Sequence, residues 1–399
     1  MTDFATNLQR RRLLAGGAGL FAASSLGVFV HPAWAQPKPL PQYVSWKRPE
    51  NVIIHTPTTI ETRRAALAPH LVTPEVDLFI RNNLPPPSDA IVADRDAWQV
   101  SIEGVKNPRS LTVGELKRMG KIELTAVLQC SGNGRAYFKH KPSGTPWQVG
   151  AAGNCTWGGV PLKQVVASLG GVADGARFIT GTGGETIPAN VEAKRVIVER
   201  SVPLKALDDA LLAWELNGNP ISLAHGGPLR LIVPGYTGVN NVKYIRRLAF
   251  TAQETDAGIQ STRYRITPIG TKAAPNFPSV WEMDVKSWIN LPAPEGGPVQ
   301  AGSVLIEGVA FGGTTSVRRI EVSTDGGQTW REGHFVGPDL GKFAWRQFAF
   351  PVRLQPGTYT IACRATDSNG KVQPEGRPEN DDGYNNNSWR DHALTITVV

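Results

Sequence analysis

At 399 residues, with a formal charge of +8, 41% hydrophobic and 19% charged residues, the chain is too long for one ordinary domain, and two globular units are expected. This composition, with 11 tryptophans, excludes a disordered or fibrous protein. The lack of a Lys/Arg run or an aromatic-interleaved basic stripe argues against a nucleic-acid partner, and three cysteines cannot all pair, which excludes the disulfide framework of small secreted domains.

The first 35 residues pose a separate problem. "QRRRLLAGGAGLFAASSLGVFVHPAWAQ" carries arginines, a weakly apolar Gly/Ala-rich stretch and an Ala33-Trp34-Ala35 pattern, the layout of a cleavable export signal. Arg10 and Arg11 followed by Arg12, Leu13 and Leu14 fit the twin-arginine route, which carries already folded proteins. A periplasmic protein starting at Gln36, with no membrane attachment after cleavage, is expected. The alternative is an uncleaved anchor, since the 18 residues from Leu13 to Val30 could just span a bilayer. Gly17, Gly19 and Ala22 imitate a dinucleotide fingerprint, but no strand precedes them.

Residues 36–97 are rich in proline, culminating in "LFIRNNLPPP", and read as an extended arm packed on the domain that follows. Residues 98–290 mix helix and strand signals. In "LTVGELKRMG", Thr112 and Glu115 stand at capping-box spacing before a short helix that stops at Gly120. Ile122, Leu124, Ala126, Leu128 and Cys130 then alternate onto one face of a strand, which carries the sulfur to the strand's end. "GGVPLKQVVASLGG" predicts a helix opened by Pro161, with Leu162, Val165, Val166 and Leu169 inward and Gly170 at its stop. "PLRLIVPG" and "NNVKYIRRLAF" read as two strands joined by "YTGV", so the domain is α+β without a regular βαβ alternation.

"LPAPEGGPVQAG", residues 291–302, reads as a linker. Beyond it, over 303–399, the helical signals vanish. "SVLIEGVAF", "SVRRIEVSTDGGQTW", "FAWRQFAFPV", "GTYTIACRAT" and "HALTITVV" are spaced as in an all-β, immunoglobulin-like antiparallel sandwich. Cys363 is in phase with Tyr359, Ile361 and Ala365, a buried strand position. Cys155 has no decisive context.

Generic catalytic patterns are mostly missing. No His-Glu-x-x-His, Cys-x-x-Cys, P-loop or Gly-x-Ser-x-Gly pattern occurs after residue 35, which argues against the commonest zinc, nucleotide and serine-hydrolase enzymes, and no Cys-x-x-Cys-His is present to attach a c-type haem. Spacing alone leaves Cys130 ambiguous between a packed thiol and a ligand or nucleophile. Its loop, "SGNGR", favours a thiolate: Gly132 and Gly134 permit close backbone approaches and Arg135 adds a positive charge. A single soft sulfur ligand suits a metal whose other ligands come from a cofactor.

"LQCSGNGR" resembles the cysteine loop of the sulfite oxidase family of molybdenum enzymes. "LFIRNNLPPP" is similar to that family's upstream arginine segment, "HGGPLRLIVPGYTGVNNVK" to its pterin-binding stretch, "STRYR" to the segment with its active-site tyrosine, and the sandwich to its dimerisation domain. The resemblance runs in order from about residue 75 to the end. It implies a molybdopterin-binding α+β domain followed by the sandwich, with molybdenum-molybdopterin as cofactor and Cys130 as the metal ligand. It implies Tyr264 as the phenol at the metal's oxo group, and Arg81 and Arg135 in an anion pocket. The cofactor would be held by Asn83, His225, Arg230, Asn241, Val242 and Lys243. Read singly, His225 could cap a turn, Arg230 could be an exposed pair and Lys243 surface charge.

Two positions depart from the family's pattern. Asn83 stands where relatives have histidine, and Asp382 where they have a further pocket arginine. A carboxylate there would repel a sulfite dianion. The resemblance implies oxidation of sulfite or a related sulfur oxyanion to sulfate, in a homodimer joined through the sandwich. With no haem expected in this chain, electrons would pass to a separate c-type cytochrome. Alternatives are the molybdenum subunit of a sulfane-sulfur dehydrogenase and, from a different class, an exported binding or adhesion protein without metal.

Overall fold

The computed structural model describes residues 39–399; the export segment expected at 1–35 lies outside them. The proline-rich arm is more regular than its composition suggests. β1 (Val52–Thr56) and β2 (Thr59–Thr62) form a hairpin, and β3 (Ile80–Arg81) adds to β2. The expected extended strap is thus a small sheet with its own apolar contacts, Val52, Ile60 and Ile80 packing with Val44 and Ala224. Pro57, Pro69 and Pro74 fall in its connections, where no ladder hydrogen bond is lost. Buried Glu61 ties it to the next domain by accepting from the amides of Gln148 and Gly150 at 2.8 and 3.0 Å.

Two five-stranded sheets follow, assembled from β4 (Gln99–Glu103), β5 (Arg109–Thr112), β6 (Ile122–Gln129), β7 (Ala152–Pro161), β8 (Phe178–Thr182), β9 (Glu199–Pro203), β10 (Leu211–Leu216), β11 (Asn219–Pro220), β12 (Arg230–Ile232) and β13 (Arg247–Thr251). One sheet runs β5-β4-β13-β8-β9, the other β11-β10-β7-β6 with β12 beside β10. The helix Val113–Arg118 starts from a reciprocal box, Thr112 Oγ1 accepting from the Glu115 amide and Glu115 Oε2 from the Thr112 amide, which satisfies two of the helix's orphan donors. The helix Leu162–Ser168 buries Leu162, Val165 and Val166 in the core with Ile102, Leu212, Leu231 and Leu248.

Two expectations change. Ile122 is 43% exposed, because β6 is an edge strand whose buried face starts further along. The strand expected over "NNVKYIRRLAF" is confined to Arg247–Thr251. Tyr244 takes φ 49°, which no strand accommodates, and the preceding residues cross a cavity as a loop.

The second domain is a sandwich of β14 (Lys286–Leu291), β15 (Gly302–Phe311), β16 (Val317–Ser323), β17 (Arg331–Glu332), β18 (His334–Val336), β19 (Arg346–Leu354), β20 (Gly357–Asp367) and β21 (Leu394–Val398). Its sheets run β14-β15-β19-β18 and β17-β16-β20-β21. Ile306, Ile320, Phe348, Ile361, Cys363 and Ile396 fill the space between them. β14 pairs with β15, so the expected boundary at 290 moves back to the start of β14. The stretch 291–302 is a loop inside the sandwich, since Pro and Gly mark a turn between strands as readily as a joint between domains.

Candidate functional site

Cys130 stands one residue beyond β6, whose last pairing is Gln129 with Ala152. Its amide donates to the Ala151 carbonyl at 2.9 Å and its own carbonyl accepts from the Asn133 amide at 2.9 Å. The strand therefore ends in a turn pinned on both sides. Gly134 takes φ 93°, accessible to glycine at little cost. Gly132 leaves space for the returning Arg135, since a Cβ there would lie 2.6 Å from the guanidinium carbon. Ala126 and Leu128 pack in one cluster with Cys130, which is 8% exposed and borders a cavity of about 370 Å³ with Arg81, Arg135, Arg263, Tyr264, Asp382 and Tyr384. A thiol sealed among aliphatic groups would be a packing residue; this one borders a cationic hollow.

The arginines are held by side chain and backbone. Arg81 donates from Nη2 to Asn83 Oδ1 at 2.6 Å and from Nη1 to the Asn82 carbonyl. Arg135 donates from Nε to the Asp382 carbonyl at 2.8 Å and from Nη1 to the Thr145 carbonyl at 3.1 Å. Such tethers fix the direction of a planar fork before a ligand arrives. Tyr264, 8% exposed, takes φ 51°, an uncommon conformation for a bulky residue, of the kind that clusters at functional sites. Its ring stacks on Tyr384, with the buried Arg200 guanidinium 5.7 Å from its centroid. Asp382 lies in the same wall; burial raises its pKa and the Arg135 charge opposes the rise.

An inner, narrower lobe shares Arg81, Asn83, Cys130 and Tyr264 and extends to His225, Arg230, Asn241, Val242 and Lys243. The residues from the cysteine loop, the arm and the β12–β13 connection, separate in sequence, are brought together here. His225 Nδ1 faces Glu75 Oε1 at 2.9 Å. An ionised carboxylate can only accept, so Nδ1 carries the proton and Nε2 is an acceptor. Burial pushes this imidazole down to about 4, and its Nε2 has no partner among the described residues. Arg230 donates from Nε to the Asn241 carbonyl at 3.1 Å and from Nη1 to the His225 carbonyl at 2.8 Å. Lys243 Nζ donates to Asn82 Oδ1 and the Ala224 carbonyl, both at 2.6 Å, and burial lowers its pKa well below the usual ammonium value. Arg230 is no exposed pair and Lys243 no surface charge, since both are buried or nearly so around one cavity; His225 does close a turn, its amide and Nδ1 both facing Ser222 Oγ, and is buried at the same lobe.

Asn241 lines the lobe through the loop it stands in. Its side chain serves the backbone, Oδ1 accepting from the Val233 amide at 2.8 Å and Nδ2 donating to the Tyr236 and Thr237 carbonyls, so it shapes the loop. Val242 contributes wall, and its carbonyl accepts from the Leu231 amide at 3.0 Å. Sequence reasoning missed Asn82, Glu185 and Arg263. Asn82 adjoins the quoted arginine, and Arg263 stands inside "STRYR". Glu185 sits in a Gly-rich loop with no pattern to mark it; burial raises its carboxyl to about 7, and Oε2 has no partner among the described residues.

Among the described residues no group of three His, Cys, Asp or Glu side chains stands ready to hold a metal. A metal at Cys130 would need its other ligands from a cofactor. The inner lobe fits one: two cationic side chains suit a phosphate, while the orphaned acceptors His225 Nε2 and Glu185 Oε2 suit the N–H edge of a pterin.

Comparison with known proteins gives the family of the chain. Residues 86–259 match the oxidoreductase molybdopterin binding domain and residues 278–398 the Mo-co oxidoreductase dimerisation domain. The chain is 32% identical to chicken (Gallus gallus) sulfite oxidase over 80% of its own length and 72% of the relative's. It is 31% identical to the sulfite oxidase of Arabidopsis thaliana over 85% of its length and 92% of that protein's. It spans less than two thirds of the mitochondrial sulfite oxidases of mouse and human. Among solved structures, the sulfane dehydrogenase SoxCD from Paracoccus pantotrophus superposes with a TM-score of 0.71 at 25% identity, over 93% of this chain and 96% of that one.

Proposed function

Because the chain belongs to the sulfite oxidase family of molybdopterin enzymes, we propose that it oxidises sulfite to sulfate with molybdenum-molybdopterin. It acts in the periplasm after twin-arginine export and passes two electrons singly to a separate c-type cytochrome. The observation that carries this reading is the convergence of Arg81, Arg135, Arg263 and Tyr264 on the cavity beside Cys130. In the balanced reaction sulfite and water become sulfate, two protons and two electrons.

Cys130 Sγ would hold the metal and Arg230, Lys243 and His225 the rest of the cofactor in the inner lobe, and the bound group would supply the oxygen-atom and electron exchange with sulfur. Everything else falls to this chain. The guanidinium groups of Arg81 and Arg135 attract the dianion and, tethered as they are, fix which way its lone pair points. Tyr264 presents a phenol that can donate to an oxygen at the metal side of the pocket. Tyr384 and Tyr264 together wall one side with aromatic surface, reducing the water that competes for these charges.

Pairing of two copies through the sandwich is part of the reading. Leu305 of β15 and Val336 of β18, 49% and 39% exposed, leave aliphatic surface on one of its sheets. Purified protein should contain about one molybdenum per chain and reduce cytochrome c only when sulfite is added. Protein matured in a competent host that contains no molybdenum would rule the function out.

A second reading, the molybdenum subunit of a sulfane-sulfur dehydrogenase, draws support from Asp382 in the cavity wall. A carboxylate there disfavours a free dianion and tolerates sulfur carried on another protein. Turnover of carrier-bound sulfane sulfur without turnover of free sulfite would select it.

A further inference from the structure

One buried cation beside the cysteine loop has no part in the reaction described above. Lys286 opens β14 in the second domain and is 1% exposed. Among the described residues it makes no ion pair. Its ammonium donates to the Asn133 carbonyl at 3.2 Å and lies 5.6 Å from the centroid of the Trp288 ring. The surroundings are unfavourable to it. Arg64 adds a second buried positive charge whose hydrogen bonds go to the Ile289 carbonyl and the Tyr137 hydroxyl, and Arg377 is already paired with Asp284. Burial and these two charges lower the ammonium's pKa to about 7. An ammonium buried without a counter-charge costs several kcal/mol, and an apolar side chain of similar volume would avoid that cost.

What Lys286 touches accounts for its presence. Asn133 knits together the chain on both sides of the sulfur: its amide donates to the Cys130 carbonyl, its Nδ2 to Gln129 Oε1 at 3.0 Å, and its Oδ1 accepts from the Ala151 amide at 3.1 Å. The second domain also holds the neighbouring carbonyls, the Asn385 amide donating to Ser131 at 2.8 Å and Asn386 Nδ2 to Gly134 at 3.2 Å. Of these clamps only Lys286 can bring a charge, and it reaches the carbonyl of Asn133, the residue that bonds to Gln129, Cys130 and Ala151.

We propose that Lys286 is a positioning residue which, by holding the Asn133 carbonyl, sets the turn that aims the Cys130 sulfur at its metal. The effect on the loop stands on geometry alone; the effect on turnover rests on the function proposed above.

Two variants test it: Lys286→Met removes both donor and charge, while Lys286→Gln keeps a donor. In cofactor-free protein, the amides of Asn133 and Arg135 should exchange hydrogen about tenfold faster in the Met variant and near the wild-type rate in the Gln variant, with sandwich amides unchanged. The Met variant should melt at or above the wild-type temperature. In holoenzyme its kcat should fall about tenfold with KM within about twofold, and the Gln variant should recover most of the loss. A Met variant that melts well below wild type makes Lys286 a structural residue and overturns the proposal. So does unchanged loop exchange, or unchanged kcat in an active enzyme. Faster loop exchange in a protein whose wild type neither binds molybdenum nor oxidises sulfite would leave the loop clamp standing and remove the proposed function instead.

Discussion

Tyr384 of the second domain stacks on Tyr264 of the first, with ring centroids 5.0 Å apart and planes inclined by 18°. The second domain therefore completes the wall of the catalytic cavity within one chain. Offset aromatic pairs contribute about 1 kcal/mol beyond the area they bury. Tyr384→Leu should lower stability by that order while reducing kcat for sulfite several-fold, because Tyr264 loses the surface that orients its hydroxyl. Stopped-flow turnover alongside thermal melting checks this, and a variant with normal kcat would dissociate the stack from function.

The three thiols should differ sharply in reactivity. Burial pushes Cys155 and Cys363 up to about 12, which leaves a thiolate fraction on the order of 10⁻⁴ at pH 8. Native cofactor-free protein treated with iodoacetamide at that pH should be modified at Cys130 alone, as read by peptide mass spectrometry. Cys130→Ser should lose at least about a hundredfold in turnover while melting within about 1 kcal/mol of wild type.

Gly132 exists for its neighbour. An added methyl would stand 2.6 Å from the Arg135 guanidinium carbon, so Gly132→Ala must displace that fork. Losing one aligned charge-assisted contact to the anion should raise KM for sulfite roughly tenfold with a smaller change in kcat. Steady-state kinetics with an unchanged KM would place Arg135 outside the substrate's reach.

Asp382 should act against a dianion. Removing a like charge from the cavity wall is worth on the order of 1 kcal/mol at a high effective dielectric. Asp382→Asn should therefore raise kcat/KM for free sulfite about fivefold, most clearly at low ionic strength. An unchanged or lower value would mean that the carboxylate does not face the substrate.

Glu185 links the inner lobe to pH. Burial raises its carboxyl from the ordinary 4.5 to about 7, so between those values the folded chain holds a proton that the unfolded chain has released. Stability contributed by this group is present below pH 4.5 and is lost as pH rises through 7, by up to about 3 kcal/mol for a shift of this size. Chemical denaturation of the cofactor-free protein across pH 4.5–7 should show that slope, and Glu185→Gln should flatten it.

Much of this molecule was legible along the chain because the signals are local. Thr112 and Glu115 specify a helix start within four residues, the alternation from Leu124 to Cys130 carries the sulfur to a strand end, and the resemblance of short ordered segments pointed to the family to which the chain belongs. Where the reading failed, a local signal was ambiguous: proline in the arm hid a sheet, and the Pro/Gly run after β14 looked like a joint between domains.

The tertiary structure alone decided what joins residues far apart in sequence. Arg135 reaches the Asp382 carbonyl, Lys286 reaches Asn133, and Glu185 faces the same lobe as His225. Hydrogen bonds, burial and pKa shifts of this kind depend on which surfaces meet when the domains pack. A strand's period or a helix's cap is written in neighbouring residues; the partner of a buried charge is chosen by the whole fold.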